Sequence, residues 1–232
     1  MKRFYKKVSA EKENEDFFIL LDGKRVKTPA ENYLHTPHQK LADAVIQEWD
    51  DQGQEINAKS MVITQFLNVE VDLAQPGARR RELEAAVLEY INSDLICYEA
   101  DGPESLCARQ ASAWSPIRQI FEEESGISLK VTKSIAYTDQ HPDLKSYGEK
   151  YLDGLTPPEF TGFQALVGPL GSFFIAKAFI EGHITVDEAF EAAMVDELHQ
   201  AELWGEDEDA MKKRESLRQE LRNVENYLDL AA

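Results

Sequence analysis

The sequence predicts an α+β fold, with a mixed α/β N-terminal domain built on a β-hairpin and an all-helical C-terminal domain. Strand-like alternation and a hairpin turn signal occur only before about residue 138, and helical segments alone follow it. The 232 residues, 43% of them hydrophobic, are enough for one large core or two small ones. We therefore expect domains at residues 1–137 and 138–232.

The hairpin is predicted over Phe17–Pro29. An apolar run meets Asp22-Gly23, a pair that readily adopts the positive φ angles of a tight turn, and the chain then alternates to the proline. Residues 4–8 are expected to add a strand. Thr36 at the N-cap and Pro37 at the first helical position predict a helix that carries Trp49 on its apolar side.

The rest of the N-terminal domain is predicted to alternate between helices and short strands. Apolar spacing indicates helices over residues 61–73, 79–92 and 114–124, and Gly126 is expected to end the last of them. The apolar run at residues 95–98 and the alternating segment at 128–137 are predicted to be strands.

Helices are the only elements predicted after residue 138. Thr185 and Glu188 form a capping box, and Ser172 is expected to begin a helix after Gly171. The predicted helices cover residues 143–153, 158–167, 171–181, 186–203 and 207–229.

The chain is strongly acidic, with 43 Asp and Glu against 25 Lys and Arg and a net charge of -18. Nucleic acid and anionic membranes are unfavourable partners for such a surface, whereas basic proteins are favoured. The charge is uneven, because residues 1–30 are net basic and residues 187–232 carry fourteen acidic against five basic residues. The acidic end is either a docking face or an ordinary solvated helical surface.

Cysteine content and hydropathy restrict the compartment. Cys97 and Cys107 are too few for a disulfide framework, so a reduced compartment is expected. No apolar run is long enough to span a membrane, and no apolar stretch follows the basic start at residues 1–8. These features predict a cytoplasmic protein or a mature organellar form.

The segment from Asp196 to Asp209 is the strongest functional signal, because it gathers carboxylates around one tryptophan. On a helix, Asp196, Gln200 and Trp204 lie along one side, with Glu197 one step round. Such a group suits a docking surface, a metal site or an acid/base pair, and an enzyme would use Asp196, Glu197 and His199. A plain packing role for the tryptophan between the last two helices also fits.

Patterns typical of catalysis are weak. No Glu-x-x-His pair of a carboxylate-bridged metal bundle occurs, and neither does a G-x-S-x-G nucleophile elbow. The glycine-rich stretch at residues 168–172 lacks the lysine that a phosphate-binding loop needs. Cys97 suits a buried structural position, and Cys107 beside Arg109 is a weak candidate for an activated thiol.

Ordered motifs along the chain resemble the F1-ATPase assembly chaperone family that binds the alpha subunit in mitochondria and alpha-proteobacteria. The matching motifs lie at residues 3–8, 21–29, 48–52, 94–98, 109–116 and 196–207. Ser115 and Asp209 depart from the family pattern, which has Asp and Glu there.

The resemblance implies a chaperone without enzymatic activity. Its expected client is the free alpha subunit of the ATP synthase F1 sector, whose apolar interface it shields until the beta subunit replaces it. A monomer without cofactor or membrane insertion is expected. The family marks the acidic positions Asp196, Glu197 and Asp207 as sensitive, and Gln200, Trp204 and Trp49 complete the candidate client-binding residues.

Overall fold

The computed structural model describes all 232 residues and shows an α+β fold, as predicted. Four strands form a small antiparallel sheet near the N-terminus: β1 Val8–Glu13, β2 Asp16–Leu21, β3 Lys24–Arg25 and β4 His35–Thr36. Ten α-helices follow: α1 Gln39–Asp50, α2 Val62–Val69, α3 Ala78–Asn92, α4 Glu104–Ser125, α5 Asp143–Gly154, α6 Pro157–Leu170, α7 Phe173–Ile180, α8 Val186–Ala193, α9 Val195–Trp204 and α10 Glu208–Leu230.

The predicted hairpin is confirmed. Strand β2 pairs with β3 around Asp22 and Gly23, which have φ angles of 48° and 79°, and β1 and β4 both pair with β2. The Asp22 carboxylate accepts hydrogen bonds from the backbone N–H groups of Lys7 and Lys6, and these bonds lower the pKa of Asp22. The turn residue therefore also ties the start of the chain to the sheet.

The chain divides into two compact units. The first contains residues 1–81, 156–162 and 223–232, and the second contains residues 82–155 and 163–222. These units do not follow the expected boundary at residue 137, because residues 82–137 belong to the second unit and the last ten residues to the first. Whether residues 1–137 and 138–232 are separate folding domains stays a prediction.

The core of the first unit lies between the sheet and the helices α1 and α2. Ile19 from β2, Leu41 from α1 and Leu67 from α2 are fully buried in it, and Tyr227 from the end of α10 joins them. Side chains of this kind each contribute about 1.5–3 kcal/mol when they leave water. The first unit therefore needs residues from both ends of the chain.

The second unit is a helical core rich in aromatic rings. Trp114 and Phe121 on α4 are buried, and the ring of Phe121 lies 4.6 Å from that of Phe174 on α7. Gly148 on α5 allows a close approach, because a Cβ there would lie 2.4 Å from Ile91 of α3. A larger residue at this position would require the side chain of Ile91 to move away.

Two motif carboxylates bind the free N–H groups of helix starts. Glu48 accepts from the N–H groups of Ile63 and Thr64 at 2.8 and 2.7 Å, at the beginning of α2. Asp94 accepts from the N–H of Phe173 at 2.7 Å and from the Ser172 hydroxyl at 2.6 Å, at the beginning of α7. A carboxylate stabilises a helix N-terminus by this geometry.

Some local predictions were wrong. Residues 4–7 are not a strand, and residues 95–97 form a 3-10 turn. Residues 128–137 form no strand beyond one bridge between Tyr98 and Thr132. Thr36 ends β4 instead of capping α1, whose N-cap is His38.

The helix predictions from α4 to the end of the chain are largely confirmed, with two differences. The predicted helix at 186–203 is two helices, because the backbone breaks at Met194. Helix α4 begins at Glu104, ten residues before the predicted start, and it ends before Gly126 as expected. The capping box at Thr185 and Glu188 and the helix start at Ser172 both form.

Candidate functional site: the acidic helix α9 and its turn

The motif at residues 196–209 forms helix α9, a glycine turn and the start of α10. Gly205 ends α9 with a φ of +91°, a backbone conformation that favours glycine. Two residues later the Asp207 carboxylate accepts from the N–H of Ala210 at 3.0 Å, which caps the new helix. Asp207 is exposed, so this cap leaves part of its carboxylate open to solvent.

One face of α9 is fixed to α4. Gln110 donates to the Asp196 carboxylate at 2.7 Å, and the Nε2 atom of His199 lies 2.9 Å from the Ser105 hydroxyl. One turn further along α9, the Arg109 guanidinium donates to both oxygens of Glu202. Three side chains at intervals of three residues therefore hold the helix in place.

The other face of α9 is open to solvent. Glu197, Gln200 and Trp204 are all exposed, and Trp204 keeps 79% of its surface accessible. The neighbouring Leu203 is 59% exposed, and Met211 at the start of α10 is 50% exposed. Trp204 therefore does not pack the last two helices together, which was the structural alternative for this residue.

The other two tryptophans have different environments. Trp114 is fully buried and donates from its indole N–H to the carbonyl of Ala192 at 2.8 Å. Trp49 is half-buried in the first unit, where its ring lies edge-on to Tyr5 at 5.5 Å. Its indole N–H is buried and has no hydrogen-bond partner. Of the three tryptophans, only Trp204 presents most of its ring to solvent.

The residues of the enzymatic alternative do not converge on one point. Asp196 bonds to Gln110, His199 bonds to Ser105, and Glu197 lies on the exposed side of the helix. Their ligand atoms do not form a group that could hold one metal ion. Cys107 donates to the carbonyl of Ala100, and burial raises the pKa of the Cys97 thiol to about 12. The geometry favours the docking interpretation of the motif.

One compact group of possible ligands lies elsewhere, at Glu124, Glu181 and His183. The Lys177 ammonium already lies 2.5 Å from both carboxylates, so a cation of the protein itself fills the group. Partial burial raises the pKa of Glu124, but the hydrogen bond and charge of Lys177 outweigh it and leave that pKa below its ordinary value. The group is an ion-pair network that joins α4 to the end of α7.

The residues of α4 that support α9 carry little signal in the sequence. Arg109 and Gln110 stood out only as motif residues, and Ser105 carried no signal. All three residues precede the predicted start of this helix at residue 114, so no helical spacing linked them to α9. The structure shows that α4 already runs through these positions and presents them to α9.

These features together define a protein of the α+β class that exposes one aromatic ring among acidic side chains. Comparison with known proteins identifies its family. Residues 2–122 match the family described as ATP12 chaperone protein. This chain belongs to the ATP12 chaperone protein family.

Relatives support the assignment along the whole chain. The mitochondrial protein atp12 of Schizosaccharomyces pombe is 23% identical over 219 residues, which are 90% of this chain and 75% of that protein. The crystal structure of Atp12 from Paracoccus denitrificans is 29% identical with a TM-score of 0.90, covering 100% of this chain and 98% of that one. A candidate chaperone from Agrobacterium tumefaciens is 32% identical with a TM-score of 0.88, covering 100% and 86%.

None of the helices has both the length and the apolar character that a membrane crossing requires.

Proposed function

We propose that this chain is an assembly chaperone of the F1 sector of ATP synthase and that its client is the free alpha subunit. It covers the apolar interface of that subunit until the beta subunit replaces it. Membership of the ATP12 family and the ordered sequence motifs support the proposal. An unassembled subunit exposes apolar surface that promotes aggregation, and a binding partner removes that hazard.

The client-binding surface is the exposed face of α9 with the turn that follows it, at Glu197, Gln200, Leu203, Trp204 and Asp207. The observation that carries this assignment is the 79% exposure of Trp204 among carboxylates. An aromatic anchor of this kind contributes much of the energy of an interface, while charges at its rim steer a basic partner. Asp196 acts behind this surface through its bond to Gln110.

Trp49 is the remaining candidate, and we assign it a separate contact with the client. Its indole N–H lacks a hydrogen-bond partner, and its ring is half-buried in the first unit. Because this N–H is buried, the contact we propose is with the accessible part of the Trp49 ring.

The chaperone acts by binding and not by catalysis, and a monomer is sufficient for a one-to-one complex. Release to the beta subunit requires moderate affinity, which suits a small interface with a polar rim. The net charge of -18 supports a basic protein client and disfavours nucleic acid. The mitochondrial and bacterial relatives support action where F1 is assembled, in the bacterial cytoplasm or the mitochondrial matrix.

Capture of purified alpha subunit by the tagged chain tests the proposal. The wild-type chain is expected to retain the subunit, and Glu197→Lys and Trp204→Ala are expected to weaken retention while circular dichroism stays unchanged. Glu149→Lys, on the exposed surface of α5, is the matched charge control and is expected to behave as wild type. Failure of the wild-type chain to retain the subunit overturns the proposed client. Normal retention by both α9 variants overturns the proposed surface.

A further inference from the structure

A groove lies along α9, next to the proposed client-binding surface. Helices α4, α8, α9 and α10 of the second unit line it, and its volume is about 650 Å³. Ile117, Phe190, Val195 and Leu198 give it an apolar lining. A second hollow shares Phe190 and Leu198 with the groove and extends it to the half-exposed Met211.

The cations around this groove are already neutralised within the protein. Each of the four forms a salt bridge with a carboxylate of its own chain. The pairs are Arg109 with Glu202 at 2.6 Å, Lys212 with Glu208 at 2.7 Å, Arg218 with Asp187 at 3.6 Å, and Arg214 with Glu206. Little positive charge therefore remains for an acidic partner to meet.

Carboxylates without a salt bridge remain at the same groove. Glu191 lines the part between α4 and α8, and Glu215 lines the extension towards α10. Both are exposed, and neither forms a salt bridge. The groove thus combines an apolar lining with a rim of uncompensated negative charge.

We infer that this groove binds an amphipathic helix of the client, one with an apolar face flanked by Lys or Arg residues. The inference rests on the proposed function and adds the kind of segment that is recognised. A helix that lays its apolar face into a groove is a common recognition mode, and basic flanks complement Glu191 and Glu215. Leu198 and Glu202 of the groove lie on the same helix as Trp204, so one client segment can reach both surfaces.

A synthetic peptide tests the groove without the alpha subunit. The probe is a fluorescent amphipathic helix of Leu and Lys, and its binding to the full chain is followed by anisotropy. A peptide of the same pattern with Glu in place of Lys is expected to bind much more weakly. Leu198→Asp places a charge in the apolar lining and is expected to weaken binding of the Leu and Lys peptide, with unchanged circular dichroism.

Charge reversal provides the decisive comparison. Glu191→Lys with Glu215→Lys is expected to weaken peptide binding about tenfold, since it replaces attraction at the rim by repulsion. Glu149→Lys with Asp153→Lys on α5 changes the net charge equally and is expected to have a much smaller effect. The groove inference is overturned if the two double variants lose equal affinity for the peptide. It is also overturned if the two peptides bind equally well, or if neither binds. A dimer of the wild-type chain that the Glu191 and Glu215 variant abolishes also overturns it, because a second copy then occupies the groove.

The result is separable from the client assay. If the wild-type chain captures the alpha subunit but the groove substitutions leave the affinity for the peptide unchanged, only the groove inference fails. If the groove substitutions weaken peptide binding but the wild-type chain does not capture the alpha subunit, the groove inference is retained and the proposed client is wrong.

Discussion

The buried side chain of Gln110 joins the segment before α4 to the acidic helix α9 through Asp196. Its Nε2 atom donates to Asp196 at 2.7 Å, and its Oε1 atom accepts from the N–H of Ala100 at the same distance. Gln110 is only 1% exposed, so its amide group is shielded from solvent. The amide therefore sets the position of the helix that carries Trp204.

Gln110→Leu is expected to lower the free energy of unfolding by about 1–3 kcal/mol, because it leaves two buried or half-buried polar groups without their partner. Urea unfolding followed by circular dichroism measures this change. Gln119→Leu on the exposed side of α4 is the control, and its effect is expected to stay within about 0.5 kcal/mol. Equal effects of the two substitutions would contradict the role of Gln110.

Replacement of Trp114 and of Trp204 by alanine is expected to change the stability of the chain by very different amounts. Trp114→Ala removes a fully buried ring and is expected to cost about 3–5 kcal/mol of stability. Trp204→Ala removes a ring that is 79% exposed and is expected to change stability by about 0.5 kcal/mol or less. Chemical unfolding of both variants checks this, and a large loss in Trp204→Ala would show that the ring packs in the folded chain.

Asp94 predicts a pH dependence of stability. Burial raises the pKa of Asp94 to about 7, although the Ser172 hydroxyl and the N–H groups of Ile96, Phe174 and Phe173 oppose the shift. Because the folded pKa lies above the ordinary value of 3.8, the folded state favours the protonated form. The contribution of Asp94 is therefore greatest below about pH 4 and declines as pH rises to about 7.

Unfolding of wild type and Asp94→Asn between pH 4 and pH 8 measures this contribution. The stability of the wild-type chain relative to Asp94→Asn is expected to fall over that range, since asparagine does not titrate. Asp153→Asn on the exposed surface of α5 is the control, and its stability difference from wild type is expected not to change with pH. A flat difference for Asp94→Asn as well would show that Asp94 does not titrate there.

Tyr227→Phe is expected to destabilise the first unit. The Tyr227 hydroxyl donates to the buried Glu70 carboxylate, and burial raises the pKa of Glu70 while this bond lowers it. Loss of the bond leaves the carboxylate buried without this donor, which costs about 1–3 kcal/mol. The loss is expected to be larger at pH 7, where Glu70 is more ionised, than at pH 4. Thermal unfolding at the two pH values measures it, and Glu70→Gln combined with Tyr227→Phe is expected to remove the pH difference.

The sequence was informative wherever the structural signal is local. The Asp22-Gly23 turn, the Thr185 capping box and the helix end at Gly126 each depend on residues within one turn, and all three form as predicted. The spacing on α9 was only partly informative: Gln200 and Trp204 share an exposed side, but Asp196, expected beside them, is held against α4 by Gln110.

The predictions failed where contacts between residues far apart in the sequence determine the local structure. Residues 128–137 alternate like a strand, but they find no partner strand beyond the single bridge to Tyr98. Thr36 has the chemistry of a helix cap, yet pairing with β2 extends the sheet through it and delays α1 to Gln39. Likewise, Gln110 and Asp196 are 86 residues apart, and no periodicity in the sequence links them.

The place of Tyr227 in the core of the first unit has a consequence for biosynthesis. The ring packs against Phe66 with centroids 5.0 Å apart, and the same cluster contains Ile19 and Leu41. A ribosome makes these partners well before Tyr227, so the N-terminal sheet emerges while the place of this ring in its core is still unfilled. This assembly chaperone is therefore itself exposed to aggregation until Tyr227 has been made, and a chain cut before Tyr227 should stay in that vulnerable state.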